Sequence, residues 1–372
     1  MNKKWIIGIS IALGVVVLGV AAYFAWQNRA KIAQVVPELE GGGTIAPVEK
    51  TVKKMQVISS REVTSYWVTK DATSSAIFYL DQTGNIIKID ASGVETADTV
   101  GLKNALDIVP APSSNWLFAK LSTSGDAAIY DMVKGVRTRD FIGINAAAWG
   151  AEDGKLATII TGTDTGLIKP RIVVEDLKNA KVAASTVLSF GLQGFDLQWP
   201  QKDSLFLTQK PSADYISDMW KVDIKTKQLS KFLSDRGLMV QWSPMGDRAL
   251  KFTTTEGRGH KLAIIDNTGA ELMTLRFVTM PDKCVMTTSA QMYCAIPRDQ
   301  ESLSHMILPD DYLKRNVYFK DGIYQIDLAN NGIKTIFEDE DPIIDATDLS
   351  VLNDKILFIN RYDKKLYSLN IK

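Results

Sequence analysis

The sequence contains few of the residues that most catalytic and metal chemistry requires. Only two histidines occur among 372 residues, together with two cysteines and 12 prolines. Histidine is the usual acid–base group near neutral pH and the commonest metal ligand, so its scarcity restricts both kinds of site. A Gly-rich phosphate loop, a nucleophile elbow and an HExxH helix are missing from the sequence. We therefore predict no catalytic residue, no metal site and no cofactor.

The chain also lacks an excess of charge of either sign. It carries 43 basic and 43 acidic residues. A nucleic-acid-binding protein usually shows a basic surplus, so we expect no nucleic-acid partner. Charged residues make up 23 % of the chain and aromatic residues 9 %, which is the composition of a globular protein and not of a disordered one.

One long uncharged stretch is present, at residues 5–26. Its length is enough to cross a hydrocarbon core of about 30 Å, and it predicts a single transmembrane helix. A cleaved signal peptide is the alternative, although its apolar region is usually shorter. We expect residues 1–4 to form a short cytoplasmic head and residues 27–51 to form a flexible linker. The membrane is then a partner through this helix, and the C-terminal domain, residues 52–372, is extracytoplasmic.

A strand-like apolar run that ends on Asp or Asn recurs along the rest of the chain. Its polar ends are Asp90, Asp131, Asp176, Asp223, Asp266, Asp327 and Asn370. Most steps between these ends are about 41 to 47 residues, the length of one four-stranded propeller blade. We therefore predict an all-β fold, a seven-bladed β-propeller over residues 52–372. Each acid is expected to accept backbone N–H bonds in the turn that follows it.

The two ends of the repeat predict how the ring closes. The last repeat has only three strands before the chain stops, and a strand-like segment at residues 53–60 precedes the first repeat. Pairing this segment with the last blade would remove two open sheet edges. Large residues near the ends of the inner strands, including Trp149, Trp199 and Trp242, are expected to pack between neighbouring blades.

One repeat carries a recognisable turn. Trp242-Ser243-Pro244-Met245-Gly246-Asp247-Arg248, followed by a strand that ends in Asp, resembles the W-S-P-D-G repeat of TolB-type, WD40-like β-propellers. Propellers associated with dipeptidyl peptidases are similar. The resemblance covers residues 52–372 as architecture, brings no catalytic residues, and suggests a membrane-tethered propeller of the cell envelope.

The two cysteines lie ten positions apart, at Cys284 and Cys294. A hairpin centred on Ser289 would place them opposite each other, within the distance that a disulfide bond tolerates. In an extracytoplasmic domain we expect this bond to form. Two small buried thiols are the alternative reading.

The sixth repeat is longer than its neighbours, and the excess lies at residues 297–317. This insertion would join the second and third strands of a blade and emerge on the same face as the longer loops at 161–170, 209–218 and 254–260. Loops carry function more often than strands, so we predict that this face binds a partner. The candidate binding residues are Lys210, Tyr215, Arg258, His260, Arg298, His305, Asp310, Asp311 and Tyr312.

Three function classes fit these observations. The first is an interaction module that binds a protein, a peptide or a glycan at the cell envelope. The main alternative is a propeller enzyme, such as a sugar or quinone-dependent oxidoreductase or a lyase. The third is an envelope sensor that transmits binding through the single membrane helix. An enzyme would line a pocket on this face with converging ionisable groups, whereas a binding module would show a broad polar and aromatic rim.

Overall fold

The structure is a computed structural model, and it describes the chain from residue 55 onward with short gaps. The described residues are 55–70, 75–97, 102, 105–112, 115–123, 125–150, 154–164, 167–179, 181–191, 193–255 and 259–371. The predicted head, transmembrane helix and linker at residues 1–4, 5–26 and 27–51 therefore lie outside the described residues. Within the described part of the chain, no helix is both long and apolar enough to span a membrane.

Seven four-stranded antiparallel sheets follow one another along the chain, and this confirms the predicted seven-bladed propeller. In chain order the strands of the first three blades are β2 (Val63–Lys70), β3 (Ser75–Asp81), β4 (Ile86–Ile89), β5 (Glu95–Ala97), β6 (Asp107–Pro110), β7 (Trp116–Lys120), β8 (Ala127–Asp131), β9 (Val136–Phe141), β10 (Ile144–Trp149), β11 (Lys155–Asp164), β12 (Leu167–Asp176) and β13 (Ser185–Ser189).

Blades 4 to 6 are built in the same way. Their strands are β14 (Phe195–Gln201), β15 (Ser204–Gln209), β16 (Ile216–Asp223), β17 (Leu229–Arg236), β18 (Met239–Trp242), β19 (Arg248–Thr254), β20 (His260–Asp266), β21 (Glu271–Thr274), β22 (Cys284–Thr288), β23 (Gln291–Pro297), β24 (Asp321–Asp327) and β25 (Gly332–Phe337). Residues 161–170, expected as a loop, are mostly strand, because β11 and β12 continue to pair as far as Asp164 and Leu167.

Blade 7 takes three strands from the end of the chain and one from its N-terminal side. These are β26 (Ala346–Leu352), β27 (Lys355–Asn360), β28 (Lys365–Asn370) and β1 (Met55–Val57). Strand β1 pairs antiparallel with β28, and Ile58 N donates to Leu366 O at 2.8 Å just beyond it. The predicted closure by an N-terminal strand is confirmed, and it covers an edge of β28 that would otherwise be open.

The recurring acids cap turns between the third and fourth strands, as the sequence predicts. Asp90 Oδ1 accepts bonds from Ser92 N and Val94 N, both at 2.9 Å. Asp266 Oδ1 accepts the equivalent bonds from Thr268 N and Ala270 N, at 2.8 and 3.0 Å. Hydrogen bonds from the turn hold the pKa of both carboxyls below its usual value. These acids have a structural role, since each carboxyl accepts backbone hydrogen bonds from the turn that follows it.

The hydrophobic core is divided among the contacts between blades. One cluster of buried residues lies between each neighbouring pair, including the pair formed by blades 7 and 1. Trp149 belongs to the cluster between blades 2 and 3, Trp199 to the next one, and Trp242 packs against the cluster between blades 4 and 5. The predicted role of the three tryptophans in joining blades is confirmed.

Candidate functional site

The insertion in blade 6 folds back onto the propeller and does not project as an open loop. It runs between β23 and β24 and contains a 3₁₀ turn (Ser302–His305) and a short helix, α1 (Asp310–Leu313). Leu303, Leu308 and Tyr312 are buried in the cluster that blades 5 and 6 share. The apolar positions of the segment therefore fix it to the blades, and its polar residues are left to form a surface.

Hydrogen bonds tie the insertion to blades 4 and 5. Asp310 Oδ2 accepts a bond from Ala213 N of blade 4 at 2.7 Å. Thr254 Oγ1 donates to Leu308 O at 2.6 Å. His260 Nε2 lies 2.9 Å from Leu303 O, and burial lowers the pKa of His260, so the neutral ring donates this bond. The loops between second and third strands of blades 4, 5 and 6 thus meet on one face.

Tyr312 lies inside this junction and not at a solvent-exposed rim. Only 3 % of the residue is exposed, and its hydroxyl donates to Asp282 Oδ2 at 2.7 Å. The Arg361 guanidinium lies over its ring, 4.1 Å from the ring centroid. Burial, followed by the charge of Asp282, raises the pKa of Tyr312 well above its usual value. Tyr312 is therefore not part of an exposed rim, because burial of an aromatic ring is favourable when its hydroxyl has a hydrogen-bond partner.

A buried ionic cluster underlies the insertion, and no pattern in the sequence predicts it. Lys283 is fully buried, and its Nζ lies 2.7 Å from Asp321 Oδ2 and within hydrogen-bond distance of Asp345 Oδ1. Arg361 Nη1 lies 2.8 Å from Asp345 Oδ2. Burial alone would lower the pKa of Lys283, but the charges of Asp321 and Asp345 outweigh it and leave this pKa raised. The cluster balances two cations with two carboxylates.

The first cavity of the face lies between the insertion and the connector that enters blade 7. Its volume is about 470 Å³. We call it the side cavity; its lining residues are Pro297, Arg298, Asp299, Ser302, Met306, Tyr318, Phe319, Lys320, Asp321, Asp339, Glu340, Ile343 and Ile344. Asp321 is 1 % exposed, and its Oδ1 is buried without a hydrogen-bond partner among the described residues. Burial raises the pKa of Asp321 to about 6, against the opposing charge of Lys283.

A second cavity, of about 400 Å³, lies on the other side of the insertion. Its walls include Lys210 and Asp196 from blade 4 and Asp310, Leu313 and Lys314 from α1 and its end. We call it the blade 4 cavity. Asp196 is an exposed residue, but partial desolvation of its carboxyl raises its pKa, although the charge of Lys210 opposes this shift. The insertion therefore contributes walls to two cavities at once.

A third cavity, of about 520 Å³, lies along the inner strands of blades 3 to 5. Trp149, Trp199, Trp242 and Asp282 are among its lining residues. Burial raises the pKa of Asp282. Asp348, on the inner strand β26, adopts a left-handed backbone with φ of 54°. Asp348 is an exposed residue, but the protein around its carboxyl displaces part of its water; this desolvation, followed by the charge of Asp282, raises its pKa to about 6.

The remaining predicted residues are spread over the face. Tyr215 is 74 % exposed and His305 is exposed on the insertion. Asp311 Oδ2 accepts a bond from Ile307 N at 2.8 Å and so shapes the insertion itself. Arg298 lines the side cavity, and Arg258 lies outside the described residues. Arg298 and Lys210 thus line different cavities of this face. The residues that contact or hold the insertion are His260, Asp310, Asp311 and Tyr312.

The two cysteines are joined by a disulfide bond. They are opposite residues of β22 and β23, with Cα atoms 4.1 Å apart. The bond pins the inner two strands of blade 6 immediately after Lys283. In the described residues, no three His, Cys, Asp or Glu side chains form a group that could hold a metal ion.

Solved structures of low sequence identity share the propeller fold of this chain, and this likeness concerns the fold alone. No protein-family model matches the chain, and no curated protein matches it either. Among solved structures, an oligogalacturonate lyase in complex with manganese is similar with a TM-score of 0.55 and 12 % identity, covering 86 % of this chain and 98 % of the other.

Two further solved structures show the same architecture. The β-propeller domain of Cps50 (Swd1) from Myceliophteria thermophila has a TM-score of 0.51 and 10 % identity, covering 86 % of this chain and 100 % of the other. A chain of the mitotic checkpoint complex has a TM-score of 0.52 and 12 % identity, covering 86 % and 93 %. At such identities the likeness shows a shared propeller fold, and the resemblance to the TolB-type repeat stays a resemblance.

Proposed function

We propose that this protein is an interaction module that binds a segment of another protein on the face built around the blade 6 insertion. The observation that carries the proposal is that one rigidly held insertion forms walls of two preformed cavities, the side cavity and the blade 4 cavity. Preformed cavities lower the cost of binding because less chain must be ordered. Cavities of this size accept single side chains or short peptide segments.

Exposed side chains on this face, two of which line the cavities, support the same proposal. Leu313 and Tyr318 are 48 % and 44 % exposed, and His305 is also exposed. A rim of exposed apolar and aromatic side chains around polar groups is typical of protein interfaces. The ionisable groups beneath it pair with one another inside the fold, which favours a supporting role over a reaction.

The proposal includes the membrane attachment that the sequence predicts. The uncharged stretch at residues 5–26 would anchor the chain, and residues 27–51 would hold the propeller close to the surface of the cell envelope. Its support is the sequence of this stretch, together with the paired cysteines, since disulfide bonds persist mainly outside the cytoplasm. In this arrangement the partner is another protein of the envelope.

Site-specific photocrosslinking in the source cells tests the proposal. A photoreactive phenylalanine analogue replaces His305 or Leu313 in the full chain, and Val136, an exposed residue of blade 2, serves as the matched control. We expect discrete protein adducts from the first two positions and not from Val136. The adducts should disappear when Leu313→Asp is combined with the probe at His305. Equal adduct patterns from Val136, or adducts that survive Leu313→Asp, would contradict the proposed face.

A further inference from the structure

The side cavity has a chemical character that narrows what it can bind. Four of its lining residues are acids, Asp299, Asp321, Asp339 and Glu340, and two are bases, Arg298 and Lys320. The cations behind the wall, Lys283 and Arg361, face Asp321 and Asp345. With Lys283, Arg361 and Asp345 counted, five acids stand against four bases. Glu338 and Asp341 lie next to Asp339 and Glu340 in the sequence and add further negative charge. The cavity therefore attracts a cation.

Two buried polar atoms, which belong to residues that line the cavity, have no hydrogen-bond partner among the described residues. Asp321 uses Oδ2 for Lys283 Nζ and for Ala346 N, at 2.7 and 2.8 Å. Its Oδ1 has no partner among the described residues, and neither has the buried Nε of Arg298. Buried polar groups are nearly always satisfied in native proteins, so an unpaired acceptor and an unpaired donor on two residues that line one cavity are candidates for bonds to a ligand.

The walls between these polar atoms are apolar. Phe319 and Ile344 are buried, and Tyr318 and Ile343 are partly exposed toward the mouth. A lysine or arginine side chain has this pattern, because its aliphatic stem packs on apolar surface while its charged end seeks a carboxylate. The peptide carbonyl beside such a side chain is the acceptor that Arg298 Nε lacks. A free amine would leave that donor unpaired.

We propose that the side cavity binds a basic side chain, Lys or Arg, of the partner protein, with Asp321 Oδ1 accepting from the cation and Arg298 Nε donating to the adjacent peptide carbonyl. This inference rests on the proposed function, because it assumes that a protein segment lies on this face. The acids at the mouth, Asp339 and Glu340, steer the cation inward. The side chain of Glu340 is 95 % exposed, and its Oε1 lies 3.9 Å from Arg298 Nη1, so its contact with Arg298 is long and open to solvent.

Binding of capped tripeptides to the full chain, purified in a mild detergent, tests the inference by calorimetry. The probes are Ala-Lys-Ala and Ala-norleucine-Ala, which differ in one charge and share their apolar stem. A charge-assisted hydrogen bond should make the lysine peptide bind about tenfold more tightly. Spermidine is the third probe, and it should bind more weakly than the lysine peptide because it lacks a carbonyl for Arg298.

Variants locate the effect. Asp339→Asn with Glu340→Gln should weaken binding of the lysine peptide about fourfold, since each exposed charge that acts through water contributes about a factor of two. Asp140→Asn with Asp203→Asn, exposed acids of blades 2 and 4, makes the same change in net charge and should leave affinity within about twofold. Asp321→Asn should abolish the preference for lysine over norleucine; the mouth variant remains informative if this variant unfolds.

Three outcomes would overturn the inference. They are equal binding of the lysine and norleucine peptides, absence of binding by both, and tighter binding of spermidine than of the lysine peptide. Each leaves the photocrosslinking result untouched, because that experiment reports a partner on this face whatever chemistry holds it. Loss of the crosslinks with retained lysine preference would instead contradict the proposed function and leave the cation site in place.

Discussion

Removal of the buried cation at residue 283 should destabilise the propeller strongly. In Lys283→Met the aliphatic stem is retained, but Asp321 and Asp345 lose the ammonium group that both now contact. Arg361 still pairs with Asp345, so Asp321 is left as the uncompensated buried charge. Breaking a buried ion pair on one side typically costs about 3 to 5 kcal/mol.

This cost can be expressed as a change in melting temperature. The entropy of unfolding is about 2.1 cal/mol/K per residue, or about 0.7 kcal/mol/K for a propeller of about 320 residues. A loss of about 3 to 5 kcal/mol should therefore lower Tm by about 4 to 8 °C. Adding Asp321→Asn to Lys283→Met removes the stranded charge and keeps an acceptor for Ala346 N. The double variant should recover about 1 to 3 kcal/mol relative to the single one.

Calorimetric and urea unfolding of the wild type, both single variants and the double variant complete this thermodynamic cycle. The control is Lys261→Met, which removes a partly exposed lysine paired with Glu271 in blade 5 and should cost less than about 1 kcal/mol. A Tm of Lys283→Met within about 1 °C of the wild-type Tm would show that Lys283 does not compensate the buried charge of Asp321. Simple addition of the two single-variant effects in the double variant would contradict the coupling between these two residues.

Two further outcomes are expected. The double variant Cys284→Ala, Cys294→Ala opens the loop between two residues that are ten positions apart, and loop entropy should lower the free energy of unfolding by about 3 kcal/mol. Urea unfolding should show this loss. A reducing agent should destabilise the wild type but not the double variant. Asp348 has a folded pKa raised to about 6, so its contribution to stability is full below about pH 4 and is lost as pH rises through about 6. Asp348→Asn, which tolerates the same left-handed backbone, should therefore gain stability relative to the wild type between pH 4 and 7 in melting experiments; a pH-independent difference between the two proteins would contradict this.

The parts of the fold that the sequence predicted are those that repeat. A turn acid such as Asp266 is recognisable because its bonding partners lie within four residues of it. The inner-strand tryptophans recur at blade spacing, and a missing fourth strand at one end is matched by a spare strand at the other. Local turn chemistry and periodicity are both readable from one sequence.

The ionic cluster and the insertion were beyond such reasoning. Lys283 meets Asp321 and Asp345, which are 38 and 62 residues further along the chain, and no period relates the three positions. The insertion reads as a polar loop because most of its residues are charged or polar. Its attachment depends on a few apolar side chains, such as Leu308 and Tyr312, whose burial is decided by the shape of the groove that blades 5 and 6 present. Tyr312, which the sequence predicts as a binding residue, is therefore buried in this groove.

Asp321 belongs both to the cluster that stabilises the fold and to the floor of the side cavity. Its Oδ2 accepts bonds from Lys283 and Ala346, and its buried Oδ1 has no partner among the described residues. An ionised Asp321 is costly in a buried position, which is why its pKa is raised to about 6. A cation in the cavity would offset this cost at neutral pH and so stabilise the propeller and the insertion together. The same carboxylate would then make recognition of a basic side chain depend on an intact contact between blades 6 and 7, because Asp345 and Arg361 complete its surroundings from the blade 7 side.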